Sequence, residues 1–232
     1  MEIDKSKIKV IGFDADDTLW VNETYFRETE EKFASLLEGF ETKNKIDQEL
    51  FKMEMRNLEL YGYGIKGFML SMIESALELS NNTVSQATLT EILGLGKRMI
   101  SHPVELLDGV VEVLEKLNGK YRLIVMTKGD LLDQERKIER SGLTKYFHHV
   151  EVLSDKKEAN YLNLLENLEV DVQEFLMIGN SLKSDVLPII NIGAQAVHVP
   201  FHTTWQHEEV VVKEKEFNYL KINILTDILK YL

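Results

Sequence analysis

The spacing of its apolar runs most constrains how this chain folds. IKVIGF (8–13), YRLIVMT (121–127), HHVEVLS (148–154), EFLMIG (174–179) and AQAVHVP (194–200) are short, apolar or β-branched, and read as strands. From the second onward, helix-length segments separate them; in NYLNLLENL, Tyr161, Leu164, Leu165 and Leu168 follow the i, i+3, i+4, i+7 pattern of one buried helix face. That alternation predicts an α/β fold, a Rossmann-like parallel sheet with helices on both sides. Between the first and second strands lie about 100 residues with no strand run, far more than a crossover needs, so the spacing predicts an inserted all-α cap domain. Within it, FMLSMIESALEL lays Phe68, Met72, Ala76 and Met69, Ile73, Leu77 along adjoining stripes suited to a small bundle. The expected division is a catalytic core of residues 1–20 and 101–232 around a helical cap of residues 21–100, with core helix material resuming near PVELLDGVVEVLEKL.

FDADDTLW, residues 13 to 20, crowds Asp14, Asp16 and Asp17 directly behind the first strand. Two carboxylates about 4 Å apart repel by roughly 4 kcal/mol at an effective dielectric near 20, so such a cluster needs a cation, a trapped proton or water. In open parallel sheets, ligands bind beyond the carboxyl ends of the strands. Asp14 and Asp16 follow the first strand, Thr127 closes the second, Lys156 lies past the third, and Asn180, Ser181 and Asp185 follow the fourth. Carboxylates, a hydroxyl and an ammonium are thus aimed at one small volume.

Composition bounds the partners. The formal net charge of −12 argues against nucleic acid or an anionic membrane surface. An anionic ligand must therefore be held by placed cations or a bound metal. No cysteine is present, which excludes a disulfide framework, a thiolate metal site and a cysteine nucleophile. MEIDKSKIKV lacks the apolar stretch of a signal peptide and no run approaches a membrane helix, so the expectation is a cytoplasmic protein. The oligomeric state is not legible.

Together these segments resemble the haloacid dehalogenase superfamily, whose members are mostly magnesium-dependent phosphohydrolases. FDADDTL resembles its first motif, a strand followed by Asp-x-Asp-x-Thr. VMTKGD resembles the second, a strand ending in Thr; SDKKEANY supplies the lysine of the third; MIGNSLKSD resembles the fourth, Gly-Asp-Ser leading to a later Asp. The resemblance implies that Asp14 is a nucleophile accepting a phosphoryl group. It implies that Asp16 is the general acid/base, a role suited to a carboxyl whose pKa is raised by its neighbours. Thr127 and Lys156 would contact the phosphoryl group, with Lys128 a further substrate-binding candidate. Mg²⁺ would lie between the Asp14 carboxylate, the Asp16 carbonyl, Asp185 and Asn180. Lys156 is preferred to Lys157 because Tyr161 then falls five residues after the lysine. The implied reaction is hydrolysis of a small phosphorylated metabolite, a nucleotide monophosphate or sugar phosphate. DADDT also resembles the DADET form found in some nucleotide phosphatases of the family. The rival readings are a 2-haloacid dehalogenase, a receiver-like signalling module and a catalytically silent binding protein.

Two positions depart from the family pattern: Asp17 stands where the family commonly has Gly, and Asn180 where it often has Asp. Asp185 also reads as a helix N-cap, with Pro188 in the following turn. GLGK (94–97) lacks the full phosphate-loop pattern and reads as a turn. His198, His202 and His207 read as a polar loop, and YGYGIKGF, with Tyr61, Tyr63 and Lys66, as inter-helix packing or a substrate-reading loop.

Overall fold

The computed structural model describes residues 3–211 and 218–232. The chain divides into two compact units. One comprises residues 1–23, 104–128 and 136–232; the other comprises Thr24–Pro103 and Gly129–Glu135.

The first unit is built on a sheet whose strands β1 (Val10–Phe13), β2 (Arg122–Lys128), β3 (His149–Leu153), β4 (Phe175–Gly179), β5 (Gln195–His198) and β6 (Leu220–Lys221) lie in the order β3-β2-β1-β4-β5-β6. Every adjacent pair is parallel. All carboxyl ends therefore share one edge, and the order reverses between β1 and β4, where such sheets open a crevice. In register, Phe13 faces Val125 on one side and Ile178 on the other. Two separate cores explain why β1, β4 and the middle of β2 are apolar throughout rather than alternating. Ile11, Phe13, Leu123, Val125, Leu176 and Ile178 pack with Val110, Val113, Leu114 and Leu117 on one face; Val10, Ile124, Met126, Phe175 and Met177 pack with Tyr161, Leu164 and Leu165 on the other. Gly12 sits where a Cβ would lie 2.6 Å from the Phe175 ring, so the central strand lacks a side chain where its neighbour's aromatic needs room.

The second unit carries helices α1 (Glu23–Leu37), α2 (Lys43–Tyr61), α3 (Ile65–Leu79) and α4 (Gln86–Ser101), of which α1 begins one residue inside the first unit. Its core joins Phe33 and Leu37, Ile46 and Leu50, Phe68, Met72 and Ala76, and Ile92 and Leu95. The boundaries fall at 23/24 and 103/104, against the expected 20/21 and 100/101. Gly129–Glu135 also groups with the helices. Lys66 Nζ lies 2.9 Å from Asp130 Oδ1, and Gly64, at φ +111°, is so close that a Cβ would meet the Asp130 nitrogen at 2.9 Å.

GLGK is not the turn expected of it. Residues 94–97 lie inside α4. Gly96 is there because a Cβ would stand 2.5 Å from Met69 Sδ, so its absence lets α3 and α4 close together. The first unit's helices are α5 (Val110–Leu117), α6 (Leu131–Arg140, entering from the second unit), α7 (Glu158–Asn167) and α8 (Leu187–Asn191). Among the described residues, no helix is long and apolar enough to cross a membrane.

Candidate active site

At the end of β1, the backbone N–H of Asp14 still donates to Ile178 O (2.9 Å), which fixes Asp14 beside the end of β4. A one-turn π-helical segment, Leu182–Val186, follows β4 and carries Asp185. Lys156, just after β3, reaches both carboxylates. Its Nζ donates to Asp14 Oδ1 at 2.5 Å and to Asp185 Oδ1 at 2.6 Å, so those two oxygens are at most about 5 Å apart. All three side chains are buried. Lys157 is solvated and pairs with Asp155 instead.

Burial raises the Asp14 carboxyl to about 7, and Asp185 adds to the shift while the Lys156 ammonium opposes it. For Lys156, burial favours the neutral amine, but the two carboxylates outweigh it and hold the group above its ordinary range. With two carboxylates on one ammonium, Lys156 is the charged partner.

Thr18 extends the cluster. Its hydroxyl lies 3.1 Å from Asp14 Oδ2 and 3.3 Å from Asn180 Oδ1, and its single proton serves one acceptor at a time. Asp185 Oδ2 accepts from the Ser181 N–H at 2.9 Å. The capping role considered for Asp185 belongs to Ser181, whose Oγ accepts from the Ser184 N–H at 3.0 Å. Gly179 completes the fit, because a Cβ there would lie 2.3 Å from Asp185 Oδ2.

Asp16 points into a different set of partners. Its Oδ1 accepts from the Trp20 indole N–H (2.7 Å) and from Lys137 Nζ (3.0 Å), and the same ammonium donates to Asn22 Oδ1 (2.9 Å). Lys137 escaped the sequence reading because it is one of several charged residues on its helix, 121 residues away in sequence. Asp17 has φ +61°, which explains why Gly suits the position. Here the carboxylate compensates by accepting from the backbone N–H groups of Asn22 (2.8 Å) and Glu23 (3.0 Å) at the start of α1. Burial nevertheless raises Asp17 to about 7, against the lowering effect of those bonds.

Thr127 is buried at the end of β2, and its hydroxyl donates to Lys128 O at 3.1 Å. Lys128 is paired with Glu208, a residue the sequence reading passed over beside His207. In the second unit, Tyr61 Oη donates to Glu74 and Lys66 is held by Asp130.

Could these residues hold a divalent ion? Among the described residues no three His, Asp or Glu side chains gather as a closed cage, the histidines near 198–207 included. The available donors are oxygens: two carboxylates sharing one counter-ion and the Asn180 amide linked to them through Thr18. One or two carboxylates with waters and substrate oxygens is the donor set that Mg²⁺ takes, whereas Zn²⁺ favours nitrogen and sulfur.

The family model for haloacid dehalogenase-like hydrolases matches residues 8–193. A haloacid dehalogenase-like family hydrolase from Xanthomonas campestris, of known crystal structure, is 40% identical, with 86% of this chain and 84% of that chain covered and a TM-score of 0.81. Glyceraldehyde 3-phosphate phosphatase from Pyrococcus abyssi is 30% identical over 207 residues, covering 82% of this chain and 80% of the relative. N-acylneuraminate-9-phosphatase from Mus musculus is 24% identical over 202 residues, 82% of each chain.

Proposed function

The chain belongs to the haloacid dehalogenase-like hydrolases, and we propose that it is a Mg²⁺-dependent phosphatase acting on a small phosphorylated metabolite through an aspartyl-phosphate. The observation that carries this reading is the pair of bonds from Lys156 to Asp14 and Asp185, which gathers a nucleophile, a cation and a second carboxylate at the sheet's switch point.

Asp14 is the nucleophile. A carboxylate oxygen bonds to phosphorus as the phosphorus–ester oxygen bond breaks, and Asp16 gives its proton to the leaving oxygen. Asp16 then takes a proton from water, whose oxygen attacks phosphorus and releases Asp14 and inorganic phosphate. Lys156 supports the Asp14 anion and offsets charge on the transferring group, and Thr127 turns its hydroxyl from Lys128 O to a phosphoryl oxygen. Asp14, Asp185, Asn180 and the Asp16 carbonyl would hold Mg²⁺, which when bound neutralises phosphate charge. The names of the curated relatives, phosphatases of a triose phosphate and a sugar-acid phosphate, favour a sugar phosphate over a nucleotide as the substrate class.

The test is a panel of phosphorylated metabolites assayed for phosphate release with Mg²⁺, for the wild type and Asp14→Asn. Release from sugar phosphates that disappears in the variant is expected. Halide release from 2-haloacids with no phosphate release, or full activity in Asp14→Asn, overturns the reading.

A further inference from the structure

Glu208 lies in the short turn Gln206–Glu208 beyond β5 and is mostly buried. Its Oε1 accepts from Lys128 Nζ at 2.5 Å, and its Oε2 accepts from Ser181 Oγ at 2.5 Å and Ser184 Oγ at 2.6 Å. Lys128 Nζ also donates to Ser184 Oγ at 2.8 Å, closing the network. The segment is fastened a second time by Lys183 Nζ, which donates to His207 O at 2.6 Å. Burial would raise the Glu208 carboxyl, but the Lys128 ammonium and the three hydrogen bonds outweigh it and hold the group at about 2.

The two serines bracket the turn that presents Asp185. Ser181 is the hinge of the connection: its Oγ is committed to Glu208 and its N–H to Asp185 Oδ2. From Glu208 the bonds therefore run without a gap through Ser181 to Asp185, and through Lys156 to Asp14. We infer that Glu208 is a positioning residue, tying Lys128 at the end of β2 to the serine-bracketed turn and so setting where the Asp185 carboxylate stands relative to Asp14. Lys128, bound to this carboxylate, belongs to the same frame.

The inference rests on the proposed Mg²⁺ site, so its test is separable from turnover. Calorimetric titration with Mg²⁺ is compared for the wild type, Glu208→Gln, Glu208→Ala and, as a control, the exposed neighbour Glu209→Gln, with circular dichroism confirming the fold of each. Glu208→Ala is expected to weaken Mg²⁺ about tenfold, the scale of losing a partner that orients a ligand. In any phosphatase assay it lowers kcat by a similar factor and leaves KM within about threefold. Glu208→Gln, which keeps an acceptor for Lys128, is expected to recover most of both, and Glu209→Gln to match the wild type. Unchanged Mg²⁺ affinity in Glu208→Ala, no rescue by Gln, or no Mg²⁺ binding by the wild type overturns the inference. If Glu208→Ala does not fold, Ser184→Ala breaks the same seam. A loss of Mg²⁺ affinity there supports the inference, and no loss overturns it. A wild type that binds Mg²⁺ but hydrolyses no phosphate ester sinks the phosphatase reading while leaving Glu208 to be judged by titration.

Discussion

Replacing Gly179 by Ala probes the site with a single methyl group. A Cβ at this position would lie 2.3 Å from Asp185 Oδ2 and 2.4 Å from its Cγ, where ordinary contact begins at 3.4 Å. The carboxylate must retreat by about 1 Å, or the end of β4 must shift by as much. Neither motion is free, because Asp185 is held on one oxygen by Lys156 and on the other by the Ser181 N–H. Overpacking of this kind costs about 1–3 kcal/mol of stability. For a chain of this size that lowers Tm by roughly 2–4 °C per kcal/mol. The larger effect is on chemistry. A misplacement of about 1 Å is worth roughly a hundredfold in rate, close to 2.7 kcal/mol of barrier. The assay is kcat on the best substrate of the panel, beside thermal melting and Mg²⁺ titration. Gly39→Ala is the control, since nothing lies within 4 Å of a Cβ there. If Gly179→Ala keeps more than half of wild-type kcat with normal Mg²⁺ affinity, Asp185 is not positioned as described.

Lys137→Met is expected to lower kcat roughly tenfold or more on alkyl phosphates, because Asp16 loses a charged donor that orients it. The loss should be smaller on aryl phosphates, whose leaving oxygen needs no proton, and equal losses on both would refute the role. Asp17→Asn tests the buried carboxyl beside it. The folded state holds this proton more tightly than the unfolded chain, about 7 against 3.8, so ionisation opposes folding increasingly as pH rises through that window. Asn tolerates the positive φ and keeps an acceptor for the Asn22 N–H. The variant should gain stability at pH 8, by up to about 4 kcal/mol, and none at pH 3. Denaturant melts at the two pH values check the sign, and an equal change at both rejects it.

What could be read from the sequence followed the range of the interaction responsible. β1, β4 and Leu123–Met126 of β2 are apolar on both faces, so each announces itself locally, whereas β6 has only Leu220 and Lys221 and gives no pattern. Asp14, Lys156 and Asp185 are legible because the ends of parallel strands must converge, and the structure puts one ammonium between the two carboxylates. The convergence rule cannot name Glu208 or Lys137, which reach the site from a loop and a helix where charged residues are commonplace. Nor does it show that Lys128, adjacent to Thr127, faces a carboxylate. GLGK misled for a related reason. Glycine in a short motif signals a turn only when the backbone needs it, and at Gly96 the need is for close packing against Met69. Asp17 shows the converse, a residue at a left-handed position where its side chain, rather than a missing Cβ, makes the turn tolerable.

The central claim is that Asp14 becomes phosphorylated during turnover. Rapid acid quenching of the enzyme with a ³²P-labelled substrate from the panel, followed by peptide mapping, tests it directly. The account predicts label on the peptide carrying Asp14, formed and lost at rates that support kcat, and absent from Asp14→Asn. Steady phosphate release with no labelled peptide, and undiminished turnover in Asp14→Asn, would contradict it.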